Sequence, residues 1–150
     1  MVDSREKGSR AETAVRKLLK QKTGLNWERT PGSGALNEKH KLKGDIYIPD
    51  AKNVYCVEIK HYKEDHFNSS LFTGKTPQII IWWEQAVRQG LQTDRKPLLI
   101  FKFDRSKLFV AFQDMPTSSY RYAFLNIENH ELYISLLEDF LDFENPKFVT

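Results

Sequence analysis

One cysteine and two methionines are all the sulfur this 150-residue chain carries, and that scarcity narrows the field at once. Cys56 has no partner for an intramolecular disulfide, and its place in the apolar run 54–57 marks it as a buried structural thiol rather than a nucleophile. Long apolar runs are missing as well. None approaches the roughly 18 residues of a membrane span, and the opening MVDSREKGSR has no apolar core of the kind a signal peptide needs. A cytosolic protein without a membrane partner is therefore expected. No repeat, linker or low-complexity stretch divides the sequence, so residues 1–150 are read as one domain. A large excess of one charge is absent too: the net charge of +3 permits a nucleic-acid partner without requiring one, because the grouping of basic residues on one face is what matters. What is present, 40% hydrophobic and 29% charged residues, excludes a disordered chain and leaves an ordinary globular core.

Apolar residues at Ala11, Ala14, Val15, Leu18 and Leu19 follow helical spacing and predict an amphipathic first helix over 6–22 with a basic outer surface, stopped at Gly24. A short strand fits 25–29, and 30–36 (TPGSGAL) reads as a loop. Residues 61–75 also read as a loop. Thr76 and Pro77 resemble an N-cap and a first-turn proline, opening a helix to about Gly90 whose apolar face holds Ile80, Trp83 and Val87, with Ile79 and Ala86 beside them. Of the adjacent Trp82 and Trp83, only one need be buried in a core or an interface between copies. Strands over 97–103 and 107–112 form a hairpin, 120–124 supplies an edge strand, and Leu132, Leu136, Leu137, Phe140 and Leu141 predict a closing helix over 131–143. The fold class is α/β, a mixed sheet flanked by helices.

The stretch 43–60, KGDIYIPDAKNVYCVEIK, organises the chemistry. It reads as two strands joined by a turn rich in Pro, Asp and Asn, with Asp45 on the first strand and Glu58 and Lys60 on one face of the second, opposite Val57 and Ile59. Two carboxylates on neighbouring strands repel one another, and a divalent cation relieves that repulsion. Oxygen-only ligation favours Mg²⁺, with Mn²⁺ as substitute, over zinc. Lys60 facing the same place can orient or deprotonate water and offset charge on a phosphate. These are the parts of metal-assisted phosphodiester hydrolysis. The competing account is plain. Glu58-X-Lys60 in isolation is more often a surface ion pair, and a glutamate such as Glu12 on a basic helix is usually solvated or paired with Arg16 at i+4. His61 and His66, with one cysteine in the chain, make no convincing zinc site.

Lys7-Gly8…Glu12, Gly44-Asp45 and Glu58-Ile59-Lys60, taken in that order, resemble the PD-(D/E)XK nuclease superfamily, and within it the archaeal-type Holliday junction resolvases and their phage relatives. The resemblance covers about the first two thirds of the chain, lacks the proline of the superfamily's name, and leaves 108–150 unaccounted for. It implies a restriction-endonuclease-like core and a site in which Glu12 joins Asp45 and Glu58 around the metal and Lys60 completes it, with the Ile59 carbonyl as an extra metal ligand. It also implies Ser33, in the loop 31–34, near the scissile phosphate, and Gln85 on the helix after the lysine strand. Without it, Ser33 is a turn residue and Gln85 a helix-surface amide. Arg5, Lys7, Arg10, Lys39, Lys41 and Lys43 lie where DNA phosphates approach such a metal. The expected function is Mg²⁺-dependent cleavage of four-way DNA junctions by a homodimer, in the cytoplasm, or the host cytoplasm if phage-encoded. The alternatives are a restriction- or repair-type nuclease on linear or single-stranded DNA, or a DNA-binding module that has lost activity.

Overall fold

A computed structural model of the chain describes residues 4–31 and 43–150, with side chains of the first helix described from Ser9 onward. Helix α1 (Ser4–Thr23) is followed by β1 (Glu28–Arg29), β2 (Ile46–Tyr47) and β3 (Tyr55–Tyr62). A single 3₁₀ turn (Ser69–Phe72) leads to α2 (Gln78–Thr93), then β4 (Lys96–Phe103), β5 (Phe109–Phe112), β6 (Ala123–Ile127) and β7 (His130–Leu136). The strands form one sheet in the order β1-β2-β3-β4-β5-β7-β6. Only β3 and β4 run parallel, because α2 carries the chain back between them; every other pairing is antiparallel.

The sheet is covered on both faces, which is why β4 reads as an unbroken apolar run rather than an alternating one. Leu98 and Ile100 point to the α1 side, where they meet Val15, Leu19, Trp27, Ile46, Val57 and Phe140. Leu99, Phe101 and Phe103 point to the α2 side against Ile79, Ile80, Trp82, Trp83 and Ala86. Trp82 and Trp83 are both buried, though only one needed to be: Trp82 also stacks on Tyr62, with ring centroids 4.9 Å apart, at the end of β3.

Several boundaries differ from the sequence reading, each for a physical reason. The helix α2 starts one residue later, with Pro77 as a cap that offers no side-chain acceptor. It also passes through Gly90 to a left-handed Asp94. Gly90 is a packing glycine: a Cβ there would stand 2.6 Å from the Arg95 carbonyl, where the chain doubles back into β4. The polar stretch after Lys60 begins as strand, since His61 and Tyr62 continue the β3–β4 register. The edge strand β6 lies three residues later than expected.

The closing helix over 131–143 is the main correction. Residues 130–136 form β7, paired to β5 on one side and β6 on the other. Leu132 and Ile134 face the α2 side and Tyr133 the α1 side, a period of two hidden inside leucines that also fit a helical spacing. The turn between β6 and β7 places Glu128 and Asn129 both at positive φ, a two-residue hairpin geometry that an asparagine tolerates. Helical structure is confined to α3 (Leu137–Asp139) and the π-helical turn after it (Phe140–Glu144). The tail then returns to the start of β3, with Val54 N–H donating to the Phe148 carbonyl at 2.8 Å.

Candidate active site

The β2–β3 hairpin is held in shape by Asn53, which is buried and uses its side chain as a template. Its Oδ1 accepts from Ile48 N at 2.8 Å, and its Nδ2 donates to the carbonyls of Ile48 and Ala51 at 2.8 and 3.0 Å. At the other end, Gly44 stands at φ +85°, and a Cβ there would lie 2.6 Å from the Val57 carbonyl. Only glycine lets the chain enter β2 this close to β3. Asp45 is thereby delivered against β3: its N–H donates to Val57 O at 2.7 Å, and its Oδ2 accepts from Ile59 N at 2.6 Å. From the other side, Thr30 N–H donates to the Asp45 carbonyl at 2.9 Å.

Glu58 is 4% exposed, on the face of β3 that α2 covers. Lys60 Nζ stands 3.8 Å from Glu58 Oε2 with its side chain 28% exposed, so the ammonium sits at the mouth of the site and the carboxylate inside it. Burial raises the proton affinity of Glu58, and the charge of Asp45 raises it further; Lys60 and a hydrogen bond from Gln89 pull it down, leaving a pKa of about 7. Asp45 is raised as well, first by desolvation and also by Glu12, against the lowering effects of the Ile59 N–H, Lys60 and Arg29. Two desolvated carboxylates, with the charge of Asp45 raising the proton affinity of Glu58, form a place that favours an added cation.

That donor set fits a hard divalent ion. Asp45 and Glu58 offer oxygen ligands, with Glu58 between Val57 and Ile59, the two β3 residues that Asp45 bonds. Among the described residues no three acidic, histidine or cysteine side chains converge into a ready-made cage. An ion here would complete its shell with backbone oxygen, water or substrate, as Mg²⁺ commonly does. Glu12 comes from α1, 7% exposed, but both its oxygens face arginines. Arg16 Nε lies 3.0 Å from Oε1, an ion pair without hydrogen-bond geometry, and Arg29 Nε lies 3.1 Å from Oε2. The i+4 pairing weighed from sequence is present, together with an arginine from β1 that sequence reasoning passed over.

Gln89 was also missed. Its Oε1 accepts from Gly44 N at 3.2 Å, and its amide bonds Glu58. Gln85, the residue singled out from sequence, lies one turn earlier on α2 and makes neither contact; the repeat of glutamine at i+4 on that helix was the available signal. Arg10 is exposed on α1, and Lys43 is half-buried beside Gly44. Ser33, Lys39 and Lys41 lie outside the described residues, as do the side chains of Arg5 and Lys7. His61 pairs with Asp104 at 2.9 Å, and His66 packs between Tyr62, Trp82 and Phe103. Cys56 is 1% exposed, and burial first, then Glu58, push its thiol up to about 12, so it is no nucleophile. No helix among the described residues is long and apolar enough to cross a membrane.

Comparison with known proteins agrees with this geometry. Residues 3–147 match the model of a family described as "Phage putative PDDEXK endonuclease". The chain is also 43% identical over 148 residues to Protein D14 of Escherichia phage T5, covering 93% of this chain and 92% of that protein.

Proposed function

Because the chain belongs to this family of phage PDDEXK endonucleases, we propose that it hydrolyses DNA phosphodiester bonds with a divalent cation, Mg²⁺ or Mn²⁺ in its place, and that branched four-way junctions are its preferred substrate. The observation that carries the reading is the desolvated Asp45–Glu58 pair with Lys60 at its mouth. Asp45, Glu58 and the Ile59 carbonyl are the proposed ligands, and a cation bound to them supplies Lewis acidity and a water of lowered pKa.

The chain's own residues do the rest. The Ile59 N–H bond fixes one oxygen of Asp45, leaving the other for a ligand. Gln89 orients Glu58 and ties α2 to the Gly44 turn. Lys60, at the mouth of the site, positions the attacking water and offsets charge on the phosphate. Glu12 supports from behind. Ser33 and Gln85 remain proposed contributors near the phosphate and on α2. Arg5, Lys7, Arg10, Lys41 and Lys43 are proposed to bind backbone phosphates, so selectivity comes from shape rather than base edges. Paired cuts across a symmetric junction favour a homodimer, acting in the cytoplasm of the host.

The test compares a synthetic four-way junction with a linear duplex of the same sequence, each in Mg²⁺ and in EDTA. Cutting of the junction alone, and only in Mg²⁺, is expected. Equal cutting of both substrates assigns a restriction- or repair-type activity instead.

A further inference from the structure

Arg29 touches the site through Glu12 and its charge reaches Asp45, yet no role has been given to it so far. It is paired in register with Ile46, the residue after Asp45, and the next residue, Thr30, bonds the Asp45 backbone. Its side chain is 69% exposed, which is unusual for the partner of a carboxylate that is itself only 10% exposed. Contact with Glu12 is made through Nε, the inner nitrogen, at 3.1 Å. Glu12 in turn is braced from the other side by Arg16 at 3.0 Å.

A buried glutamate held between two guanidinium groups is a poor ligand for a dication, which would have to approach against both positive charges. It is a good anchor. With its Nε 3.1 Å from Glu12 and its side chain 69% exposed, Arg29 can offer its terminal N–H groups to a ligand, a planar fork matched to two oxygens of one phosphate. We infer that Arg29 is a phosphate-binding residue of the active site, with its terminal nitrogens on a substrate phosphate next to the metal ligands, and that Glu12 is a positioning residue that holds Arg29 rather than a metal ligand.

This rests on the nuclease reading above, so the experiment reads binding separately from cleavage. Affinity for a four-way junction is measured in EDTA over a range of salt for wild type, Arg29→Ala, Arg29→Lys and Glu12→Gln. Single-turnover cleavage in Mg²⁺ and Mn²⁺ binding without DNA are measured on the same proteins, with Asp45→Asn as reference. Loss of one phosphate contact should make the slope of log affinity against log salt shallower by about 0.9 in Arg29→Ala. It should also slow cleavage about 100-fold, the scale of losing one donor to a reacting oxyanion. Arg29→Lys should recover the salt slope but little of the rate, since a point charge cannot replace the fork. Glu12→Gln should slow cleavage while binding Mn²⁺ within about twofold of wild type, whereas Asp45→Asn should bind it weakly.

An unchanged salt slope and rate in Arg29→Ala overturns the inference. So does a Glu12→Gln protein that loses Mn²⁺ as Asp45→Asn does, because Glu12 is then a ligand. If wild type cuts no DNA, the nuclease reading fails, and the salt slope still decides the phosphate contact. Arg29 is exposed, so its variants should melt close to wild type even if Glu12→Gln folds poorly.

Discussion

Glu58 carries its charge only on condition. With burial and Asp45 raising its pKa from 4.5 to about 7, the metal-free folded chain takes up a proton that the unfolded chain has already lost over that interval. Where the native state binds more protons, stability falls as pH rises. The metal-free protein should therefore lose on the order of 2–4 kcal/mol between pH 4.5 and 7 and level off above. Asp45, shifted the same way, adds to the fall. Urea midpoints in EDTA across that range check it, and Glu58→Gln should flatten most of the slope. Mg²⁺ affinity should climb over the same window, because the ion displaces the proton. Gly44 is the other single position with a sharp consequence. In Gly44→Ala the methyl group meets the Val57 carbonyl at 2.6 Å from a left-handed backbone, so β2 must move off β3. A loss of about 2 kcal/mol or more in urea unfolding is expected, accompanied by weaker Mg²⁺ binding because Asp45 moves with it.

At the scale of elements, the hairpin 43–60 was legible because its signals agreed: turn residues between β-rich runs, and alternation that puts Glu58 and Lys60 on one face. Helices α1 and α2 were legible from their apolar stripes. The last part of the chain was not, because Leu132, Leu136 and Phe140 satisfy a helical period while the strand pairing that decides the matter is non-local. The turn at Glu128 and Asn129 was a short local cue outweighed by that pattern. In the site, residue types near one another in sequence could be placed, whereas Gln89 and Arg29 reach it through tertiary packing that spacing alone does not encode. Asn53 shows how one side chain holds an element together. Asn53→Ala leaves the Ile48 N–H and carbonyl and the Ala51 carbonyl without their partner, and a loss of about 2–3 kcal/mol in thermal or urea unfolding is expected. Residues 49–53 should then show faster amide exchange than the rest of the sheet.

For the whole molecule, one sheet covered on both faces brings three separate stretches to a single edge: α1 with Glu12, the β1–β2 entry with Arg29 and Asp45, and β3 with Glu58 and Lys60. The β6–β7 hairpin lies at the far edge of the sheet, away from this chemistry, and completes the core through Leu132 and Ile134. The account stands on the claim that the Asp45–Glu58 pair is a working metal site. Incubation of a synthetic four-way junction in Mg²⁺ with wild type and with Asp45→Asn tests it most directly, with binding followed in parallel. Wild type should cut and Asp45→Asn should bind without cutting; if both bind the junction and neither cuts it, the chain is a DNA-binding module and the claim is contradicted.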